Sequence, residues 1–357
     1  FGSSAPLRAK HRSRAAAAAH LARRATPGSC AMEVDAFAFS AEWHDPQADL
    51  VRPYIVTVFQ PKGGAGPLEL QIWDPKANRT FLKRAPLSDL RMEDMFVGGS
   101  ITVHARQMRL VAYADESTKV RLEEAVDCFG LLTSPDAFPE LGSILSTIEG
   151  AGLAITRLRL VAESGPVVAM QVNGAGAAAA WEVASVKLRP GSCKKVSSSE
   201  VTPYFEDTRR YPTTAVFSNC TVCLIRPHIL KDGRAGEIVS IITKAGFEVS
   251  AAKMVHFTRV EAAEFLDVYK GVIPHYPAVL DAFTATPCLA LELRKDADVV
   301  PSFRELCGPY DVDIARHLRP GTIRARFGVD KAHNAVHCTD LEEDGELESR
   351  YIFGLIS

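Results

Sequence analysis

The stretch LGSILSTIEGAGLAIT, residues 141–156, returns without a gap as AGEIVSIITKAGFEVS at residues 235–250, and this repeat decides how the chain is divided. In both copies apolar residues recur at helical spacing, an Ala-Gly pair ends the run, and a strand-like stretch follows. Gly152 and Gly246 stand just past the helical pattern, where a chain leaving a helix turns through a left-handed conformation that side chains resist. Each copy reads as a helix followed by a strand.

Further along, SGPVVAMQV (164–172) matches ATPCLALEL (285–293), but the offset has grown from 94 to 121 residues, so the first copy lacks 27 residues that the second has. In the second copy that extra segment opens on Thr258-Arg-Val-Glu261, a capping box, and runs on through a helical pattern that puts Phe265 and Tyr269 on one face. The repeated unit is an α/β fold of roughly 130 residues, an ordinary domain size, whole in its second copy and cut down in its first.

Ahead of the repeats, from Phe37 to about Val120, lies a β-rich region. Tyr54–Phe59, Leu68–Trp73 and Ile101–His104 are β-branched or aromatic runs, and PKGGAGP (61–67) between the first two predicts a hairpin loop. Its glycines are no phosphate loop, because the Lys-Ser/Thr pair that holds phosphate and metal is missing. The first 32 residues carry six Lys/Arg and no acid, the pattern of a transit peptide or of translated upstream sequence; a disordered or artefactual leader is expected.

Composition sets the outer bounds. With 357 residues, 47% of them hydrophobic and 24% charged, the chain has material for two or three cores. A net charge of −2 gives no footprint for nucleic acid. No apolar run approaches the roughly 18 residues of a membrane helix. Eight scattered cysteines are read as reduced thiols. Cys220 and Cys223 have zinc-knuckle spacing, but residues three apart on a strand face opposite ways and no second pair follows, so a protein-held metal is not expected.

The residues near the C-terminus carry chemistry. A histidine beside Ala335 and Val336 is, taken alone, more often a core residue than a working one. Here RPGTIR (319–324) and NAVHCTD (334–340) place Arg324, Asn334 and His337 within 14 residues. From about Cys220 onward the second copy resembles a nucleoside diphosphate kinase domain, and these two segments are similar to that family's signature around its phosphorylated histidine. The order of parts, with AEWHDP (41–46) and NRTFLKR (78–84) in the leading module and two kinase repeats behind it, is similar to an axonemal branch of the family whose leading module is a DM-10 domain. The likeness covers nearly everything after Met32.

That resemblance implies an α+β multidomain fold: leader 1–32, a β-rich, PH-like DM-10 module at 33–122, and two ferredoxin-like α/β nucleoside diphosphate kinase repeats at 123–212 (degenerate, truncated) and 213–357. It implies ping-pong transfer of a γ-phosphate from ATP to nucleoside diphosphates, with Mg²⁺ carried by the nucleotide. The chemistry asks for a neutral imidazole nitrogen in line with phosphorus and for donors around the oxygens where charge spreads. By resemblance His337 is the nucleophile, Glu348 hydrogen-bonds its other ring nitrogen, Arg304 and Arg324 clamp phosphates, Tyr269 helps position them, and Asn334 contacts the sugar.

The departures point to weak activity. Arg226 stands where the family has Lys, and a planar fork does not place a donor where an ammonium would. Pro277 takes the place of a base-stacking Phe, with Tyr276 beside it as a substitute platform; Tyr310 replaces a phosphate-contacting Thr, and Cys338-Thr339 a Gly-Ser. The first copy has Leu132-Thr-Ser-Pro135 at the Lys position and no histidine between His104 and His228, so it forms no phosphohistidine and is expected to pair with the second copy. The resemblance further implies a place in the cytoplasm and cytoskeleton, at the axoneme of a cilium or flagellum, with tubulin and other doublet proteins as partners. The alternative is a structural microtubule-doublet inner protein with a vestigial kinase site.

Overall fold

A computed structural model describes residues 34–356, apart from 46, 47, 49, 63–65, 88, 89, 91, 93, 94, 98, 105, 126, 296 and 297. The leader expected at 1–32 lies outside the described residues. The chain divides into two compact units, the second beginning at Ala125.

The first unit is a six-stranded antiparallel sheet: β1 (Val34–Asp45), β2 (Leu50–Pro61), β3 (Glu69–Asp74), β4 (Arg79–Pro86), β5 (Ser100–Val103) and β6 (Arg106–Tyr113), in the order β4-β3-β2-β1-β6-β5. Phe37, Phe39 and Ala41 on β1 alternate inward and meet Tyr54, Val56 and Val58 from β2 in one core. The strands flanking the predicted hairpin loop pair antiparallel, and residues 63–65 of that loop lie outside the described residues.

The second unit holds both repeats in a single eight-stranded sheet. Its strands are β7 (Asp127–Thr133), β8 (Ala154–Ala162), β9 (Pro166–Gly174), β10 (Cys193–Val196), β11 (Cys220–Ile225), β12 (Glu248–Val255), β13 (Cys288–Arg294) and β14 (Val336–Cys338). The order β10-β7-β9-β8-β12-β13-β11-β14 reads the same from either end once the repeats are matched. The centre is the β8–β12 pairing, where Arg159 lies opposite Lys253, its own equivalent 94 residues on. The expected pairing of the two copies is thus a shared sheet.

Two helices, Leu141–Gly150 and Ala235–Lys244, pack across this seam with the same symmetry. A Cβ on Gly142 would lie 2.6 Å from the Ser240 nitrogen, and one on Gly236 would lie 2.6 Å from the Gly142 carbonyl oxygen. Only glycine permits backbones this close. Glu149 breaks the symmetry: its carboxylate accepts from the Ala235 and Gly236 amides, at 2.9 Å each, and so caps the second helix at its electropositive end. Burial raises the Glu149 pKa and the two amides oppose that rise.

Every residue of β11 is buried, because both faces of the sheet are covered. Cys223 and Ile225 point to the seam helices and to helix Val299–Cys307. Val222 and Leu224 point to helices Arg259–Phe265 and Tyr276–Thr284, the segment the first copy lacks. In the first copy a substitute fills that face: short helices Ser198–Val201 and Pro203–Glu206 and the following Tyr211. Val201, Tyr204, Phe205 and Tyr211 pack on Leu132, Val161, Val167 and Ala169. A Cβ on Gly130 would come 2.7 Å from Val201 Cβ, so the cover lies directly on β7. Among the described residues no helix is long and apolar enough to cross a membrane.

Candidate active site

Strand β14 brings the histidine into place. It pairs with β11 so that His337 faces Leu224 and Cys338 faces Cys223. Opposite residues of an antiparallel pair share a face, so His337 joins the side with helices 259–265 and 276–284 while Cys338 joins the seam side. Ala335, just before the strand, has φ +74°, a left-handed conformation that costs a non-glycine residue energy. Its carbonyl accepts from the Arg226 amide at 3.0 Å.

The His337 side chain is 5% exposed, and its Nε2 lies 3.0 Å from Glu348 Oε2. Phe265 meets the ring edge-to-face, with centroids 5.0 Å apart. The same Glu348 oxygen accepts from Thr339 Oγ1 at 2.8 Å, and Thr339 Oγ1 accepts from the Val222 amide at 3.1 Å. Burial works to lower the His337 pKa, but the charge and hydrogen bond of Glu348 outweigh it, and the net shift is upward. In the neutral ring the single proton belongs on Nε2, where Glu348 accepts it, which leaves the Nδ1 lone pair free.

The helix that carries Glu348 is tied to an inner carboxylate through the adjacent Ser349. Glu292 on β13, fully buried, accepts from the Val216 amide (2.6 Å), the Phe217 amide (3.1 Å), Ser250 Oγ (2.7 Å) and Ser349 Oγ. Ser349 adjoins Glu348 on helix Asp344–Arg350, so Glu292 anchors the helix that orients the histidine. Sequence reading passed over Glu292, although a lone acid in the apolar run LALEL (289–293) was its signal. Phe265 and His275 were also not assigned to the site.

Two buried arginines stand behind the loop. Arg324 donates to the Gly308 carbonyl at 2.9 Å and to the Val336 carbonyl at 3.2 Å, and its guanidinium is 3.4 Å from Cys338 Sγ. Arg226 donates to the Ala332 carbonyl and lies over the Phe283 ring at 4.6 Å. Burial lowers the Arg226 pKa to about 10, which still leaves it cationic near neutral pH. Its Nε and the Asn334 Oδ1 are buried without a partner among the described residues. Neither arginine forms an ion pair with a carboxylate among those residues.

Tyr310 lies between these cations and the opposite wall. Its hydroxyl is 3.1 Å from His275 Nε2, its carbonyl accepts from Asn334 Nδ2 at 3.3 Å, and the Arg324 guanidinium is 5.8 Å from its ring centroid. Burial raises the Tyr310 pKa, and Arg226 and Arg324 oppose it. Tyr269 donates to the Asp340 carboxylate, and Arg304, half exposed, donates to the Asp340 carbonyl.

His337, Glu348, Asn334, Arg226, Arg324, Arg304 and Tyr269 therefore come together around one loop. Pro277 is exposed in the first turn of its helix. Tyr276, read as a substitute base platform, turns its hydroxyl to the Ala263 carbonyl at 3.3 Å and is partly buried against the core. The first turn of a helix aims adjacent side chains about 100° apart, so neighbours in sequence do not share a platform.

A carboxylate-oriented imidazole with a free nitrogen thus stands on one loop with two buried guanidinium groups. Residues 219–355 match the family model described as nucleoside diphosphate kinase, and the chain belongs to that family. Across 90% of its length it is 36% identical to Nucleoside diphosphate kinase homolog 7 of Rattus norvegicus, covering 93% of that protein. The nucleoside diphosphate kinase of Aquifex aeolicus is 33% identical over 37% of this chain and 92% of its own. A crystal structure of the Aquifex aeolicus enzyme, also 33% identical, spans 39% of this chain and 99% of its own with a TM-score of 0.36.

Proposed function

We propose that the second repeat transfers the γ-phosphate of a nucleoside triphosphate to a nucleoside diphosphate through a phosphohistidine at His337. The observation that carries this is the Glu348–His337 pair: it keeps the one proton of the neutral ring on Nε2 and points an unprotonated Nδ1 away from the carboxylate. A bond forms from Nδ1 to the γ-phosphorus as the bond to the bridging β-phosphate oxygen breaks. The nucleoside diphosphate leaves with that electron pair, and a second diphosphate reverses the step. Arg226 and Arg324 supply positive charge, and neither is ion-paired to a carboxylate among the described residues, although the Asp340 charge acts on Arg324 from a distance. The magnesium ion arrives on the nucleotide's phosphates as part of the substrate.

Turnover is slow in this reading. One arm of the Arg226 fork is spent on the Ala332 carbonyl and its plane lies over the Phe283 ring, and one missing transition-state donor costs about 100-fold. The test is incubation with γ-labelled ATP and Mg²⁺. Acid-labile, base-stable label on wild-type protein and none on His337→Ala supports the reading, and label persisting in the variant refutes it.

A second reading rests on the first repeat. Its face is closed by Val201, Tyr204, Phe205 and Tyr211, yet its half of the sheet is kept. A structural role for this repeat and the leading β unit follows, and the order of parts supports incorporation into the doublet microtubules of a cilium or flagellum, against tubulin and neighbouring proteins. His337→Ala should then still sediment with salt-washed axonemes, and wild-type protein found mainly in the soluble fraction removes this role.

A further inference from the structure

The walls around His337 come from two segments far apart in sequence. One is the hairpin carrying Phe265, Tyr269 and His275, supplied by the 27-residue segment that the first repeat lacks. The other is the loop between helices Val299–Cys307 and Val312–Leu318, which carries Tyr310. The walls meet in the His275–Tyr310 hydrogen bond of 3.1 Å, reinforced by ring centroids 5.9 Å apart. Asn334 fixes the Tyr310 backbone from below, at 3.3 Å. Tyr310 and His275 are both half-buried, so the bond is partly sheltered from water.

The position of the phenol matters because of what surrounds it. Two buried guanidinium groups converge there, neither in an ion pair with a carboxylate among the described residues, and the Tyr310 ring lies against one of them. Such a field suits an anionic phosphate, and at present a neutral hydroxyl occupies it. From this we infer that Tyr310 and His275 form a latch across the phosphate cleft, which a nucleotide's phosphates must open to reach His337. A ligand able to bind only the open state has its apparent affinity reduced by the fraction of molecules that are open.

The inference rests on the phosphotransfer reading for its biological sense, and two readouts separate them. Full-length wild-type protein, Tyr310→Phe, His275→Leu and the double variant are compared for Mg·ADP affinity by calorimetry and for labelling of His337 by γ-labelled ATP in a single turnover. Tyr310→Phe keeps the ring and removes the hydroxyl, while His275→Leu removes its partner nitrogen from the opposite wall. Loss of one net hydrogen bond predicts Mg·ADP binding tighter by about 3- to 10-fold in each variant, with the double variant no tighter than the better single one. Tighter binding with no label in any protein leaves the latch standing and removes the phosphotransfer reading. Label with unchanged binding removes the latch alone. Weaker binding or slower labelling in Tyr310→Phe also overturns the latch, since it makes the phenol a phosphate donor. Absence of Mg·ADP binding in all four proteins removes both.

Discussion

Replacing Glu292 by Gln tests whether the site is built from the inside outward. Each carboxylate oxygen accepts from one backbone amide and one serine hydroxyl: Oε1 from Val216 and Ser250, Oε2 from Phe217 and Ser349. A glutamine must turn its NH₂ toward one of these pairs. The serine there can rotate to accept, but the backbone N–H cannot, so one sheltered donor loses its partner at a cost of about 1–3 kcal/mol. On the other side two hydrogen bonds lose the charge of their acceptor, which removes about 1 kcal/mol each. Val216 is 45% exposed, so water can compensate part of the loss if the amide turns that way. The expected destabilisation is about 3 kcal/mol. For a unit of this size that corresponds to a fall in Tm of about 6–12 °C. Thermal unfolding followed by circular dichroism measures it, with Glu292→Ala as the more disruptive companion. Because Ser349 ties Glu292 to the helix bearing Glu348, phosphorylation of His337 should fall as well, at temperatures where the variant is still folded. A Tm within about 2 °C of wild type, with unchanged labelling, would falsify the view that this buried carboxylate supports the site.

Removing the outer carboxylate gives a pH signature. Glu348 raises the His337 pKa, so it stabilises the fold below the unfolded value of 6.5 and that contribution fades as pH rises through the higher folded value. The nucleophile must be neutral, so in Glu348→Gln the acid limb of the labelling rate should move to lower pH while the plateau falls by about 10- to 100-fold, the cost of losing an orienting partner in comparable sites; an unmoved limb argues against the pair. At the seam, Gly236→Ala gains about 1 kcal/mol of helix propensity but forces a Cβ against backbone atoms of the facing helix, a clash of about 1–3 kcal/mol. A lower urea midpoint is expected, and a higher one would show that the helices are not in such close contact. Thr258→Ala removes the capping box of the helix that carries Phe265 and should cost about 1 kcal/mol in the same assay, with no loss indicating that packing alone holds that helix.

Much of this molecule was legible in one dimension. The 94-residue repeat announced two related units, because a helix ended by Ala-Gly and followed by a strand is a local pattern. The capping box at Thr258 and Glu261 appears as read, since it spans three residues. Arg324, Asn334 and His337 could be grouped because the chain brings them close in sequence, and Glu348 lies only 11 residues beyond the histidine.

What the sequence did not show depends on residues far apart along the chain. That the repeats merge into one sheet follows from a single strand pairing, Arg159 opposite Lys253, and no periodicity reports which edges meet. The closing of the first repeat by Tyr204 and Tyr211 was hidden for a similar reason: those residues read as linker until they are seen lying on β7, β8 and β9. Tyr276 next to Pro277 looked available for stacking, and only the tertiary fold shows its hydroxyl turned toward Ala263. Glu292 and Ser349 lie 57 residues apart, and His275 and Tyr310 lie 35 apart. Hydrogen bonds of this kind are short-ranged and directional, so residue type supplies only the capacity to form them and the tertiary fold selects which partners meet.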